Sequence, residues 1–287
     1  MAVASQVKTF LITGVSSGFG SAFASAALAE GHTVVGTVRS EAARTAFEAR
    51  VPASSQSPGR AHAVVLDVTD FDAIGAAVDA VQRQVGAIDV LVNNAGYGHE
   101  GTLEESELGE MRRQFDVNVF GAVAMTKAVL PSMRERRAGH IVNITSMGGF
   151  ITMPGIAYYC GSKFALEGIS EVLAKEVAGF GVKVTAVAPG SFRTDWAGRS
   201  MVRAARTVAD YDALFDPIRQ ARQDKSGEQA GDPAKAAQAL LKIVADASPP
   251  VHLLLGKDAV KLVREKLAAM SREIDAWEAL SSATDHD

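Results

Sequence analysis

From residue 7 to residue 255 the chain alternates short apolar runs, rich in β-branched residues, with longer stretches whose apolar residues recur every three or four positions. That alternation constrains the fold more than any other feature. The short runs read as buried strands at 7–13, 33–38, 61–66, 88–92, 140–145, 182–188 and 251–255. The longer stretches, among them 70–85, 103–137, 158–180 and 233–247, read as amphipathic helices. Strands separated by whole helices cannot pair as hairpins, so they pair in parallel and are covered on both faces. The expected fold is α/β: one doubly wound domain over residues 1–287, built on a seven-stranded parallel sheet.

In such a sheet a ligand binds outside the carboxyl ends of the strands. Six unusual stretches each follow an expected strand: 14–20, Arg39, Asp67, 93–96, Ser146 and Pro189-Gly190. All six therefore share one edge. The first is Thr13-Gly14-Val15-Ser16-Ser17-Gly18-Phe19-Gly20, followed by an Ala-rich helix that Gly31 closes. A glycine-rich turn between strand and helix leaves backbone N–H groups free to meet a pyrophosphate. Dinucleotide folds place an acid about 20 residues further on, where it takes the ribose hydroxyls. Here Arg39 stands 21 residues after Gly18. A guanidinium there suits a 2′-phosphate, hence NADP(H) rather than NAD; the alternative is a solvated arginine at a strand end. Asn93-Asn94-Ala95-Gly96 would let a flat ring lie against the backbone, or is a plain turn.

Tyr159 and Lys163 lie four residues apart, on one face of an expected helix. A phenol titrates near ~10. An ammonium about 5 Å away, at an effective dielectric of about 20, favours the phenolate by roughly 3 kcal/mol, or about two pKa units. Tyr159 would then serve as a general acid/base. Alone, the same spacing is common surface decoration. Asn118 is out of place in Phe115-Asp116-Val117-Asn118-Val119-Phe120, since it competes with helical hydrogen bonding.

Composition excludes several classes. The chain is 47% hydrophobic and 22% charged with a net charge of −4, so no basic face for nucleic acid is expected. No apolar run reaches the roughly 18 residues that span a membrane. Residues 1–6 lack the marks of a signal peptide. One cysteine, Cys160, allows no disulfide within the chain and fits a reducing, cytoplasmic setting. The six histidines show no metal-ligand spacing, so no metal site is expected, and His99 either faces the pocket or sits on a surface loop. Residues 51–60 read as an exposed loop, and about 191–230 as short helices in a mobile, substrate-binding segment. A last amphipathic helix is expected over 258–280, with 281–287 frayed.

Together these motifs resemble the short-chain dehydrogenase/reductase superfamily over about residues 7–195. Thr13-Gly14-x-x-x-Gly18-x-Gly20 is similar to its coenzyme turn and Asn93-Asn94-Ala95-Gly96 to its fourth-strand motif. Ser146, 13 residues before Tyr159, and Tyr159-x-x-x-Lys163 are similar to its active site, and Asn118 to its fourth catalytic residue. Pro189-Gly190 with Thr194 resembles the nicotinamide-side segment. The stretch from Tyr159 to Gly168 and the Gly18-Phe19-Gly20 turn look like the steroid and retinoid branch. The family's short strand with a glycine-rich tail is replaced here by the 258–280 helix.

The resemblance implies a Rossmann-like fold and an NADP(H)-dependent oxidoreductase that interconverts a carbonyl and an alcohol. Tyr159 would move the proton, Ser146 would hold the substrate oxygen, Lys163 would tune Tyr159 and hold the nicotinamide ribose, and Asn118 would position Lys163 through water. Cofactor contacts carried over are Gly14, Ser16, Gly18, Phe19, Gly20, Arg39, Asp67, Val68, Asn94, Ala95, Tyr159, Lys163, Pro189, Gly190 and Thr194. Tyr97, Met147, Phe150, Met153, Phe192, Trp196 and Met201 would wall a hydrophobic small-molecule substrate, or pack the core. A homo-oligomer, dimer or tetramer, follows from the family habit of pairing the helices before and at Tyr159. Two rivals fit less well. Sugar-nucleotide epimerases and dehydratases resemble Thr-Gly-x-x-Gly-x-x-Gly, a different spacing. A redox-sensing NADP-binding regulator without turnover would typically have lost the tyrosine.

Overall fold

A computed structural model describes residues 7–50 and 59–286, apart from the side chain of Ala197. The readings for residues 1–6 and for 51–58 of the exposed loop lie outside the described residues. The chain runs β1 (Thr9–Ile12), α1 (Gly18–Ala29), β2 (Thr33–Val38), α2 (Glu41–Glu48), β3 (Arg60–Val65), α3 (Phe71–Gln84), β4 (Val90–Asn93), β5 (Gly98–Glu100) and α4 (Leu108–Phe115). It continues through α5 (Ala122–Glu135), β6 (Gly139–Ile144), α6 (Ala157–Val177), β7 (Val182–Pro189), β8 (Met201–Arg203), α7 (Asp212–Asp224), α8 (Pro233–Ala245), β9 (His252–Leu255) and α9 (Lys257–Ser282).

Seven strands form one parallel sheet in the order β3-β2-β1-β4-β6-β7-β9, the doubly wound architecture expected from the alternation. Period-two alternation splits the core into two layers. Phe10, Ile12, Val92 and Val142 face Phe23, Leu28, Leu240 and Val244 on α1 and α8. Leu11, Leu91 and Ile141 face Ile74, Val78, Met125 and Val129 on α3 and α5. Burial on both faces explains why the strands read as continuous apolar runs. The chain winds outward from β1 to β3, then crosses to β4 on the other side of β1. Ligands of open α/β sheets bind at this kind of reversal, outside the strand ends.

Several expectations change. The single helix over 103–137 is instead α4, a π-helical turn at Asp116–Gly121, and α5. Gly121 lies against Val68, where a Cβ would come within 2.9 Å of the Val68 carbonyl oxygen. The first strand is shorter than 7–13, and α2 was not anticipated. The segment after β7 holds β8 and α7, and β8 pairs with β5 in a second, two-stranded parallel sheet. The last helix runs through Ser282, so Ser281 and Ser282 are helical rather than frayed. Gly31 follows α1 with φ +83°, the left-handed residue a helix terminus favours.

Candidate active site

The turn after β1 is built for close approach. Gly14 and Gly18 have φ of +72° and +55°, open to glycine at no steric cost. A Cβ on Gly20 would fall onto the Gly14 carbonyl and the Asn94 amide. Asn94 pins the turn by donating from Nδ2 to the carbonyls of Thr13 (2.9 Å) and Gly14 (3.0 Å). Thr13 Oγ1 accepts from the backbone N–H groups of Asn94 and Ala95, both at 2.9 Å, and so ties β1 to β4. Thr13, part of the turn motif in the sequence but given no role of its own there, carries this junction. Ser17 caps α1 with extended backbone and no side-chain bond, so the first N–H groups of α1 have no side-chain acceptor there. Thr194 lies across Gly18, 3.8 Å from the position of a Cβ. This cradle fits the pyrophosphate of a dinucleotide.

The other candidate cofactor residues line the same edge with differing roles. Ser16 and Arg39 are exposed, and Arg39 makes no hydrogen bond or ion pair with the described residues. Asp67 accepts from the N–H and hydroxyl of Thr69, at 2.9 and 2.8 Å, and Val68 is buried. Pro189 ends β7, and the Gly190 N–H donates to the Leu255 carbonyl at 2.8 Å. Asp258 at the start of α9 accepts from the Ser191 N–H at 2.7 Å and closes against Gly190, so the last helix fixes this turn. Phe19 stacks on Phe23 and meets Phe192 at 5.1 Å.

The Tyr159 end of α6 is enclosed. Tyr159, Lys163 and Ser146 are all buried. Ser146 follows β6 and accepts the Gly148 N–H at 3.0 Å, which turns its hydroxyl toward Tyr159. Lys163 Nζ donates to the Ile144 carbonyl at 2.8 Å and lies 5.8 Å from the centre of the Tyr159 ring. The expected lowering of the tyrosine pKa does not hold in this enclosed state. Burial pushes the Tyr159 phenol up to about 12; the Ser146 hydrogen bond opposes this, and Lys163 is not among the groups that move it. Desolvation of the phenolate therefore sets the direction. Burial also lowers Lys163 to about 8, against the attraction of Glu167.

Asn118 sits inside the π-helical turn, the kind of bulge often found at functional sites. Its Oδ1 accepts the Tyr97 N–H at 3.1 Å, and its Nδ2 donates to the Tyr97 carbonyl and to Ser162 Oγ, each at 3.1 Å. Ser162 donates in turn to the Tyr159 carbonyl at 2.7 Å. Asn118 thus locks the start of α6 to the strand-end loop that follows β4.

The candidate substrate residues divide. Trp196 lies 5.0 Å from Tyr159 ring to ring, and Met153 and Trp196 pack on Ile156, Tyr159 and Cys160. The Trp196 indole N–H is buried without a partner among the described residues. Met201 and Trp196 rest against Gly98, where any Cβ would strike both. Met147 lies on the turn after Ser146, and Tyr97 is held by Asn118. Phe150 and Phe192 do not join them. Phe150 meets His252 at 5.7 Å, and Phe192 packs into the α1 side of the core, where those contacts hold each ring away from Tyr159. His99 is neither a pocket nor a surface residue. It is buried, bonded to Glu110 at 2.6 Å and tilted against the Tyr158 ring at 5.0 Å.

The sequence matches the short chain dehydrogenase family over residues 8–203. The chain belongs to that family. This short-chain dehydrogenase is 42% identical to a short-chain dehydrogenase of Streptomyces avermitilis of known structure, covering 99% of this chain and 100% of the other with a TM-score of 0.89. It is 37% identical over 280 residues to Oxidoreductase BOA17 of Botryotinia fuckeliana, covering 97% and 100% of the two chains. It is 39% identical over 253 residues to the 3-ketodihydrosphingosine reductase of Bacteroides thetaiotaomicron, covering 88% of each. The short-chain dehydrogenase is accordingly an oxidoreductase with a Rossmann-like fold. Among the described residues, no helix is long and apolar enough to cross a membrane and no cluster of His, Cys, Asp and Glu could hold a metal.

Proposed function

We propose that this oxidoreductase uses NADP(H) to interconvert a hydrophobic ketone or aldehyde and its alcohol, with Tyr159 as general acid/base. The observation that carries the reading is the enclosure of Tyr159, Ser146 and Lys163 at the sheet edge beside the glycine cradle. When bound, the nicotinamide supplies or takes the hydride. Tyr159, with a pKa near 12, holds its proton across the neutral range and gives it to the carbonyl oxygen in reduction. The Ser146 hydroxyl donates to the same oxygen and steadies the charge that develops there. Lys163 holds the ribose, and Asn118 keeps its surroundings fixed.

Arg39, exposed and unengaged by the described residues, and exposed Ser16 support a 2′-phosphate and therefore NADPH. Met153, Ile156, Cys160 and Trp196 around Tyr159 support an apolar carbonyl substrate, as does kinship with a relative named for reducing a ketone. Phe120, Phe164, Ile169 and Val172 are exposed on the turn before α5 and on α6 and offer a face for a homo-oligomer; the lone, buried Cys160 suits the cytoplasm. The test is an absorbance screen for NADPH oxidation across aliphatic, aromatic and steroid ketones. Turnover with at least one hydrophobic ketone, faster with NADPH than with NADH, is expected. Dinucleotide binding with no turnover on any carbonyl would favour the regulatory alternative.

A further inference from the structure

Helix α9 is rooted in the domain at one end only. Asp258 holds the Ser191 N–H at 2.7 Å, and Ala259 and Val263 are buried. From Leu267 to Ser282 every residue is exposed, over a length of about 24 Å. A helix with no packed face has little stability of its own in water, because most helical stability comes from burying an apolar face. This stretch carries such a face uncovered. Leu267, Ile274 and Trp277 are 57%, 63% and 61% exposed, and Met270 is 42% exposed. Apolar side chains scattered singly on a surface need no explanation, but aligned in one stripe they mark a contact surface.

The spacing of the stripe says what kind of contact. Val263, Leu267, Met270, Ile274, Trp277 and Ser281 follow one another in alternating steps of four and three. That is the seven-residue repeat of a helix that packs along another helix. The stripe continues the face that Val263 already buries. Charge is distributed unevenly beside it. The root carries Lys257, Lys261, Arg264 and Lys266 against Asp258 and Glu265, whereas the free end carries Arg272 against Glu273, Asp275 and Glu278. Among the described residues, Lys261 pairs with Glu265 at 3.9 Å, while Arg264, Lys266, Glu273 and Glu278 make no ion pair. A lipid surface calls for a basic polar face, and the free end is acidic. A second copy laid parallel would set acidic end against acidic end. Laid antiparallel, it sets each acidic end beside the other's basic root, and flanking charges of this kind fix partner and orientation.

We propose that α9 pairs antiparallel with α9 of a second copy of this chain. Leu267 then meets the partner's Trp277, Met270 meets the partner's Ile274, and Arg264 faces the partner's Glu278. Ser271 lies beside the two-fold axis against its own copy, and Glu273 flanks the axis on the other side as the one like-charged contact. This interface is separate from the exposed face of Phe120, Phe164 and Ile169 and from the chemistry at Tyr159.

The test combines crosslinking with sedimentation of the full chain. Positions 271, 274 and 281 are exposed, so substitutions there leave the domain folded, which a melting curve checks. A short bismaleimide joins engineered cysteines, and buried Cys160 keeps the parent chain silent. Ser271→Cys should crosslink into dimers. Ser281→Cys should not, because antiparallel pairing holds the two copies of that position about 27 Å apart. Adding Ile274→Glu to Ser271→Cys should abolish the crosslink. Ile274→Glu alone should halve the sedimenting mass, whatever assembly the other faces form, by weakening the pairing at least about 100-fold. Crosslinking through 281 instead of 271, or through neither, would overturn the antiparallel pairing. So would a mass that Ile274→Glu leaves unchanged, or a parent chain that is monomeric alone and binds vesicles of phosphatidylcholine and phosphatidylserine through α9.

Discussion

Replacing Arg39 with alanine isolates the cofactor preference from everything else the fold does. Arg39 is exposed at the end of β2 and bonds to none of the described residues, so its loss should leave stability within about 0.5 kcal/mol. Toward a 2′-phosphate its guanidinium would form charge-assisted hydrogen bonds worth about 2 to 3 kcal/mol. At about 1.4 kcal/mol per tenfold, that is a loss of roughly 30- to 150-fold in NADPH affinity. NADH carries no such phosphate, so its affinity should change less than about twofold. Fluorescence titration of both dinucleotides against the parent enzyme and Arg39→Ala measures each term. An equal loss for both, or a preference for NADH that is already present and survives the substitution, would refute the assignment of Arg39 to the phosphate.

Asn94→Ala removes two donors to the carbonyls of Thr13 and Gly14, which should cost about 2 to 3 kcal/mol and lower Tm by about 3 to 5 °C. An unchanged melting curve would show that the glycine turn does not depend on that amide. His140 is buried, and burial lowers its pKa to about 4 from 6.5. Protons are then taken up on unfolding, so its contribution to stability is whole above pH 6.5 and lost as pH falls toward 4, by about 3 kcal/mol. Urea unfolding between pH 4 and 7 should show this slope in the parent enzyme and a shallower one in His140→Gln; parallel slopes would count against it.

Much of the fold was open to reading because parallel sheets bury both faces of their strands. Phe10, Leu11 and Ile12 are all apolar for that reason, and the seven strands stand out as runs. The site was legible where chemistry and position coincide, as in Gly14, Gly18 and Gly20 after a strand or Tyr159 and Lys163 on one helical turn. What escaped depends on contacts far apart in sequence. Strand β8 has three residues and no pattern of its own, and it exists by pairing with Gly98–Glu100, about a hundred residues earlier. The π-helical turn at Asn118 coincides with side-chain bonds to Tyr97 and Ser162, partners 21 and 44 residues away in sequence. Phe150 and Phe192 look like pocket walls because they are aromatic and near the motifs, yet one meets His252 and the other Phe19. The spacing of Tyr159 and Lys163 gave their proximity but not their burial, and burial reversed the direction in which the phenol pKa moves.

The measurement that reaches furthest into this account is single-turnover reduction of a hydrophobic ketone by NADPH with Tyr159→Phe. That change keeps the ring against Trp196 and removes the proton. If Tyr159 gives its proton to the substrate oxygen, the rate should fall by about 10²- to 10⁴-fold while NADPH binds as before. A variant that binds NADPH normally and reduces the ketone at near the parent rate would contradict it.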